Sequence, residues 1–433
     1  MKKSGLNIGI IGIGNIGLQV LKQLTLNSQL TKLFSVEAVL VRDKHKYTEI
    51  ISADNDLKGI VNNVLEKVTD TEEDFFSNKS IDVMIELIGG VDPAYRYVKR
   101  ALESKKHVVT ANKDLIATHI EELIQLSKNN FVKLRFEGSV GAGIPIIEVL
   151  SDMLKQNKIK KITGIINGTS NYILSSMFEN SSDFEDVLKE AQELGFAESD
   201  PTNDVEGFDA KFKINILGSI AFGARIPLET VYVKGISEVS NKDMNYAKEF
   251  GYNIKLLAIT EKSSRGVYSS VSPALVSLDQ PISKVGGNYN AVEIHGDLVG
   301  KLWIQGEGAG KNSTSSAVLG DLMGIYYQSS DDINLYKKNK ENYLNRKDVA
   351  LRNYIRLSVE DKYGVLSEIS GIFSKNEISI ASVIQKDIGN SKGIVDLVIM
   401  THDSKGINFD KAIESVSKIS SVKEKPVVIR IND

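Results

Sequence analysis

Six residues near the N-terminus, Gly12-Ile13-Gly14-Asn15-Ile16-Gly17, decide most of what the first part of this chain can be. They follow an apolar run, Leu6–Ile11, and precede a helical pattern, Leu18–Leu26. A G-x-G-x-x-G run alone carries little weight, but its place between a strand and a helix is what a dinucleotide-binding turn requires. Gly12 permits the tight turn, Gly14 lets backbone approach a pyrophosphate, and Gly17 lets the helix pack close to the strand. The helix N-terminus then presents N–H groups and a positive dipole end to the anion. A glycine-rich turn without a ligand is the alternative.

Further βα units follow. Phe34–Val41, Ile81–Leu87, His107–Val109 and Lys133–Phe136 read as strands, and Pro93–Glu103 and Thr118–Lys128 as helices. This alternation predicts a doubly wound, mostly parallel sheet of Rossmann type over residues 1–135. The second strand ends at Val41-Arg42-Asp43-Lys44-His45-Lys46. An acidic residue here, roughly 20 residues past the glycines, would hold the ribose hydroxyls of NAD. A basic cluster would pair with the 2′-phosphate of NADP. Arg42 and the lysines favour NADP; Asp43 leaves NAD open.

Residues 136–325 change character, and a mixed α+β catalytic and dimerisation domain is expected, with 326–340 packing back on the first domain. Ile159–Ile166, Lys255–Thr260 and Lys301–Gln305 read as strands. Ser182–Leu194 reads as a helix, with Ser182 and Glu185 as a capping box and Gly195 as its stop. The lysine-rich stretch Lys337–Lys347 reads as a solvated segment, with 341–350 as linker. Over 351–433 the pieces Asn353–Glu360, Val365–Lys375, Ile378–Lys386, Ile394–Thr401, Phe409–Ser417 and Pro426–Ile431 follow the βαββαβ order of a ferredoxin-like module.

Composition excludes several classes. A net charge of -3 over 433 residues gives no broad nucleic-acid or membrane surface. The chain has no cysteine, which rules out thiolate chemistry and fits a reducing, cytoplasmic compartment. Its five histidines lack metal-ligand spacing, so a zinc site is not expected. The N-terminal apolar run is too short for a signal peptide, and no apolar segment approaches the roughly 20 residues that span a bilayer.

The segment from Gly195 to Lys213 is the richest in chemistry. Glu198, Asp200, Asp204, Glu206 and Asp209 place five carboxylates within residues 198–209. Asp209 and Lys213 are four apart and share one helix face. Ile216, Leu217 and Ile220 continue near that face, which points the pair inward. Reducing an aldehyde needs a proton on oxygen, and with no Ser–His pair or metal cluster Lys213 is the candidate donor. A helix-surface ion pair is the alternative.

These residues resemble the homoserine dehydrogenase family. The resemblance rests on Gly12–Gly17, on 86–90 (Glu-Leu-Ile-Gly-Gly), 109–113 (Val-Thr-Ala-Asn-Lys), 136–147, 166–174, the acidic segment 195–213, and 306–310 (Gly-Glu-Gly-Ala-Gly). It implies interconversion of L-aspartate 4-semialdehyde and L-homoserine by a homodimer or homotetramer. It also implies that Lys213 is the proton donor, that Glu198 and Asp209 hold the substrate ammonium, and that Asp204 lies near the substrate. Lys113 then lies by the nicotinamide and assists proton transfer; Asn15, Ile16, Gly195 and Gly310 contact the cofactor. Glu137, Val140, Ala142 and Ile144 match a site whose backbone oxygens bind sodium. From residue types alone that stretch reads equally as a tight turn.

Residues 353–433 resemble an ACT domain, a module that often binds amino acids. Tyr354–Leu366, Ile378-Ser379-Ile380 and Gln385 carry the likeness, and Tyr363 stands where the family's turn has proline. The resemblance implies feedback inhibition by L-threonine at the turn of Gly364, lost in a chain ending near Lys340. A dimerisation module without ligand is the alternative. For the whole chain, the competing readings are a dehydrogenase for another semialdehyde and a non-catalytic NADP sensor.

Overall fold

The computed structural model describes residues 5–328, 333, 335, 341–385 and 393–432. It divides into two compact units that do not follow chain order. The first comprises Met1–Ile159, Asn215–Leu228 and Gly296–Asn339; the second comprises Lys160–Ile214, Glu229–His295 and Lys340–Asp433.

In the first unit, β1 (Leu6–Ile11), β2 (Phe34–Leu40), β3 (Val68–Thr69), β4 (Val83–Glu86), β5 (His107–Thr110) and β6 (Leu134–Arg135) form one parallel sheet in the order β3-β2-β1-β4-β5-β6. The order reverses between β1 and β4, so the ends of these strands define the switch point where doubly wound sheets bind ligands. Ile8, Ile10, Val83 and Ile85 are fully buried, as strands covered on both faces require. The helix Asn15–Leu26 covers the sheet with Val20, Leu21 and Leu24. A helix distant in sequence, Lys311–Tyr327, adds Val318, Leu322 and Ile325 to the same core. The helix expected at Thr118 begins earlier, at Lys113, because the Asn112 side chain caps it by accepting from the Leu115 N–H at 3.1 Å.

In the second unit, β7 (Ile159–Ile165), β8 (Tyr252–Ser263), β9 (Gly266–Ser277), β10 (Tyr289–Gly296), β11 (Ala350–Glu360), β12 (Ile380–Gln385), β13 (Ile394–Thr401) and β14 (Val427–Asn432) run in the order β10-β7-β8-β9-β14-β11-β13-β12. β8 and β9 form a long antiparallel hairpin. The C-terminal module has the expected βαββαβ order, with the helices Val365–Lys375 and Gly406–Val416 over a core of Ile355, Leu357, Phe373, Leu397, Ile399 and Phe409. Its last strand, β14, pairs in parallel with β9 from Ala274 to Val276, so the module extends the catalytic sheet.

Two expectations are corrected. The helix after Ser182 spans Phe184–Glu193, with Asp183 at its N-cap and no side-chain cap. Ser181 is left-handed (φ +55°) where the preceding helix ends, which leaves Ser182 in the chain reversal rather than at a cap. The described part of the lysine-rich stretch is docked, not solvated. Tyr343-Leu344 pairs with Val267-Tyr268, and Leu344 and Val349 pack on Tyr268. A capping box between Asn345 and Asp348 fixes the next turn. Residues 337–340 and Lys386 lie outside the described residues.

Candidate functional site

In the first unit the glycines take the parts their spacing predicts. Gly12 has φ +86°, and a side chain there would strike Ile88. A Cβ on Gly17 would lie 2.1 Å from the Gly12 carbonyl, so helix and strand meet only with glycine. Gly14 faces open space within 4 Å and is the N-cap of Asn15–Leu26, with no side-chain cap. The N–H groups that follow, from Asn15 and Ile16 onward, begin that helix. Gly310 (φ +128°) likewise starts Lys311–Tyr327 without a side-chain cap. Two helix N-termini with uncapped amides in one unit suit a ligand bearing phosphates. Arg42 is exposed just beyond β2. Asp43 is engaged as an N-cap, its carboxylate accepting from the Lys46 N–H at 3.0 Å.

Glu86, at the end of β4, has no solvent exposure. It accepts from the Thr110 hydroxyl at 2.6 Å and the Ile88 N–H at 2.8 Å, and burial raises its pKa. It thereby fixes the loop through Gly89 and Gly90, both left-handed, whose Gly90 carbonyl accepts from the Asn112 amide at 2.6 Å. Lys113 is half-buried at the start of the next helix. The role of Glu86 was not read from the sequence; an acidic residue ending an apolar strand at the switch point was the available signal.

Glu137, Val140, Ala142 and Ile144 lie in one buried turn. Gly141 (φ +74°) and Ala142 (φ +50°) turn the backbone left-handed. The Glu137 carboxylate accepts from the Ile147 and Glu148 N–H groups at 2.8 and 2.7 Å, and burial raises its pKa to about 7. The turn is oxygen-rich, and such donors suit a hard cation. Among the described residues no cluster of three or more His, Cys, Asp or Glu could hold a metal.

The second unit brings Asp204, Asp209 and Lys213 together around Asn167. Lys213 Nζ is 2.7 Å from Asp209 Oδ2 and donates to the Ile166 carbonyl at 3.0 Å. The pair is mostly buried, with side-chain exposures of 12% and 10%, so it is not the exposed ion pair the sequence left open. The Asn167 amide donates to Asp204 at 2.6 Å and to Asp209 at 2.9 Å, while its oxygen caps Gly168–Asn180 by accepting from the Ser170 N–H. Burial raises the Asp204 pKa, and the bond from Asn167 opposes that rise. Asn167 went unassigned in the sequence, although an Asn-Gly-Thr run between strand and helix signals a cap. Glu198 lies on an exposed turn, where its carbonyl accepts from Gln192 at 3.1 Å. Gly195, left-handed at φ +75°, ends the preceding helix.

Three stretches of the chain match known families. Residues 145–323 match homoserine dehydrogenase, residues 12–137 its NAD-binding domain, and residues 353–421 the ACT domain. The chain is 38% identical to a Helicobacter pylori homoserine dehydrogenase, covering 100% of both chains. It is 35% identical to one from Bacillus subtilis, covering 98% of each. A homoserine dehydrogenase crystal structure from Thiobacillus denitrificans superposes with a TM-score of 0.90 at 35% identity, covering 99% of this chain and 98% of that one. A hyperthermophilic archaeal homoserine dehydrogenase mutant in complex with NADPH matches at 28% identity and a TM-score of 0.64, over 76% of this chain and 99% of that one. The chain belongs to the homoserine dehydrogenase family.

Proposed function

We propose that this chain reduces L-aspartate 4-semialdehyde to L-homoserine, reversibly, with Lys213 as the proton donor. The observation that carries the assignment is the anchoring of Lys213 Nζ by Asp209 and the Ile166 carbonyl, which takes two of its three N–H bonds and leaves one for a substrate oxygen. When bound, a reduced nicotinamide supplies the hydride. Lys213 protonates the oxygen as the alkoxide forms and removes that proton in the oxidation direction. Asp209 orients the ammonium of Lys213, and with Glu198 it takes the substrate's own ammonium, a charge-assisted contact. Asp204, tied to Asn167, completes the acidic wall. Lys113 lies by the nicotinamide and assists proton transfer.

The cofactor reading is NADP, with NAD the second choice. Asp43 spends its carboxylate on a helix cap, whereas Arg42 is exposed beside the nucleotide turn. Asn15, Ile16, Gly195 and Gly310 are the further cofactor contacts of this reading. The carbonyl-rich turn of Glu137, Val140, Ala142 and Ile144 is the sodium site. No helix among the described residues is long and apolar enough to cross a membrane, and a cysteine-free chain suits the cytoplasm. The assembly is a homodimer or homotetramer. The deciding experiment is oxidation of L-homoserine with NAD and NADP in parallel, with sodium present or replaced. Cofactor binding without turnover would instead support a non-catalytic sensor.

L-Threonine is the effector of this reading, at the turn of Gly364. That glycine is left-handed (φ +89°) and N-caps Val365–Lys375 with no side-chain cap, while Tyr363 beside it is fully exposed. Truncation near Lys340 is a poor test. It would remove β14 from β9 and strip Arg356 from Asp243, a fully buried carboxylate that Arg356 meets at 2.7 and 3.1 Å. The better test is Gly364→Val in the full chain, where threonine inhibition should weaken and turnover persist.

A further inference from the structure

Three strand ends meet at one level in the first unit. Glu86, the last residue of β4, is in register with Ile11 on β1 and with Thr110 on β5. Its side chain is fully buried, and among the described residues it meets neutral donors rather than a cation. Burying a carboxylate in this way is costly. What the carboxylate offers in return is two oxygens that both accept, so it can take a donor from each of two loops at once. Oε2 accepts from the Thr110 hydroxyl at 2.6 Å and Oε1 from the Ile88 N–H at 2.8 Å. The ties continue from there. The Thr110 oxygen accepts from the Asn112 N–H at 3.0 Å. The Asn112 amide donates to the Gly90 carbonyl at 2.6 Å, and its oxygen caps the helix that begins at Lys113. Glu86, Thr110 and Asn112 thus close a ring of bonds between the loop after β4 and the loop after β5. What this ring holds in the open is Ile88. It is 37% exposed, and a Cβ on Gly12 would lie 2.5 Å from its Cγ2, so it stands beside the nucleotide turn.

With a pyrophosphate at Gly14 and the adenosine ribose at the end of β2, the other half of a dinucleotide extends across the strand reversal, over the ends of β4 and β5. We infer that Glu86 is the positioning residue for the nicotinamide half of the cofactor. Through Thr110 and Asn112 it locks the two loops that flank that half, and through the Ile88 N–H it sets an apolar shelf for the ring. Apolar side chains are the ordinary lining for a flat ring, with a few polar groups to orient it. Glu86 has no exposed surface, so it acts on the cofactor only through these neighbours. The adenosine half is held from β1 and β2 and lies outside the ring of bonds. This role rests on the dinucleotide reading above and adds a division of labour within it.

The test is calorimetric titration of the full chain with the reduced cofactor and with the same molecule lacking only nicotinamide, ADP-ribose for NADH and its 2′-phosphate for NADPH. Thr110→Val removes the hydroxyl and keeps the branched shape. It should raise the Kd of the reduced cofactor about fivefold, the size of one lost hydrogen bond, and leave that of the fragment within about twofold. Glu86→Gln, whose amide has one accepting oxygen in place of two, should show the same split. Thr110→Ser restores the hydroxyl and should bring the reduced cofactor back to within about twofold of the parent. A merely structural tie would lower Tm and leave the ratio of the two Kd values where it was. Should Thr110→Val and Glu86→Gln fail to fold, Asn112→Ser decides: serine keeps the helix cap and drops the bond to Gly90, and the same split is expected. An unmoved ratio, equal weakening of both ligands, or no rescue by serine overturns the inference. The parent chain separates the two claims. If it binds neither ligand, the dinucleotide reading falls and takes this role with it. If it binds both and oxidises L-homoserine while the ratio stays fixed in the variants, only the role of Glu86 falls.

Discussion

Two buried lysines in the second unit use the same chemistry to opposite ends. Lys255, on β8, is 1% exposed and gives its ammonium to three neutral acceptors: Asn171 Oδ1 at 3.2 Å, Ser175 Oγ at 2.9 Å and the Val285 carbonyl at 2.7 Å. Burial lowers its pKa to about 8. Lys213 is slightly more open, has a carboxylate partner, and keeps one N–H outside its two bonds. The first lysine is saturated, so it can only hold the helix Gly168–Asn180 to the sheet. The second is anchored but not saturated, and can exchange a proton with something new. Burial alone therefore does not separate the two lysines; the unused N–H does, and the proton-donor role proposed for Lys213 needs it.

The sharpest way to break that contrast is to remove each lysine. Lys213→Ala should lower kcat by about 10²–10⁴-fold with cofactor affinity nearly intact, the size of a positioned general acid. Steady-state homoserine oxidation and a separate nucleotide titration measure the two effects. Full kcat in this variant would remove Lys213 from the mechanism. A third buried cation extends the comparison. Arg356 is fully paired with Asp243 and should matter only for stability. Arg356→Met leaves a buried carboxylate without its partner and should cost about 3–5 kcal/mol in denaturant unfolding. Tyr354, which also donates to Asp243 at 3.1 Å, cannot replace the lost charge.

Lys255 leaves a signature in pH rather than in rate. Its folded pKa of about 8 lies below the ordinary 10.5. Between those values the unfolded chain binds a proton that the folded chain does not, so stability rises with pH across that window. The penalty is fully present below pH 8 and is relieved as pH approaches 10.5, by up to about 3 kcal/mol. Other groups titrate there too, so the quantity to measure is the difference between the parent chain and Lys255→Met in urea unfolding at several pH values. The parent should gain stability relative to the variant as pH rises. A constant difference would mean that Lys255 stays charged in the folded chain with an ordinary pKa.

How much of this was legible beforehand depends on whether the signal was local. Gly12, Gly14 and Gly17 were readable because turn, approach and packing act over six residues in a row. The helices and strands of the C-terminal module were readable for the same reason, by period and punctuation. Asp209 and Lys213 share a helix face that spacing reveals, and Ile216, Leu217 and Ile220 near that face pointed them inward, as their low exposure bears out. Asn167 and Glu86 offered only a cap signal and a strand-end signal, and Lys255 none, since each acts on partners brought in by the fold: Asn167 reaches Asp204 and Asp209 from another element, and Lys255 reaches Asn171 and Val285. The docked stretch near Leu344 misled for the converse reason. Its lysines suggested solvent, and its few apolar residues found a partner in Tyr268 that no local pattern announces.

The smallest expected effect tests whether the acidic wall depends on Asn167. That amide donates to both Asp204 and Asp209, and it is also the N-cap of Gly168–Asn180. Asn167→Ala would remove two functions at once, so Asn167→Ser is the cleaner change; serine caps nearly as well as asparagine but is too short to reach both carboxylates. Burial already raises the Asp204 pKa, and the bond from Asn167 opposes that. Without the bond the carboxyl should titrate higher still, because a hydrogen bond to the charged form is lost. In the proposed mechanism its ionised form is the one that completes the acidic wall around the substrate ammonium. The acidic limb of kcat/KM for L-homoserine should therefore move to higher pH, while the plateau at high pH changes little. A plateau that falls with no movement of the limb would mean that Asn167 acts through the helix cap alone, and that Lys213 and its carboxylates are set by the backbone rather than by this side chain.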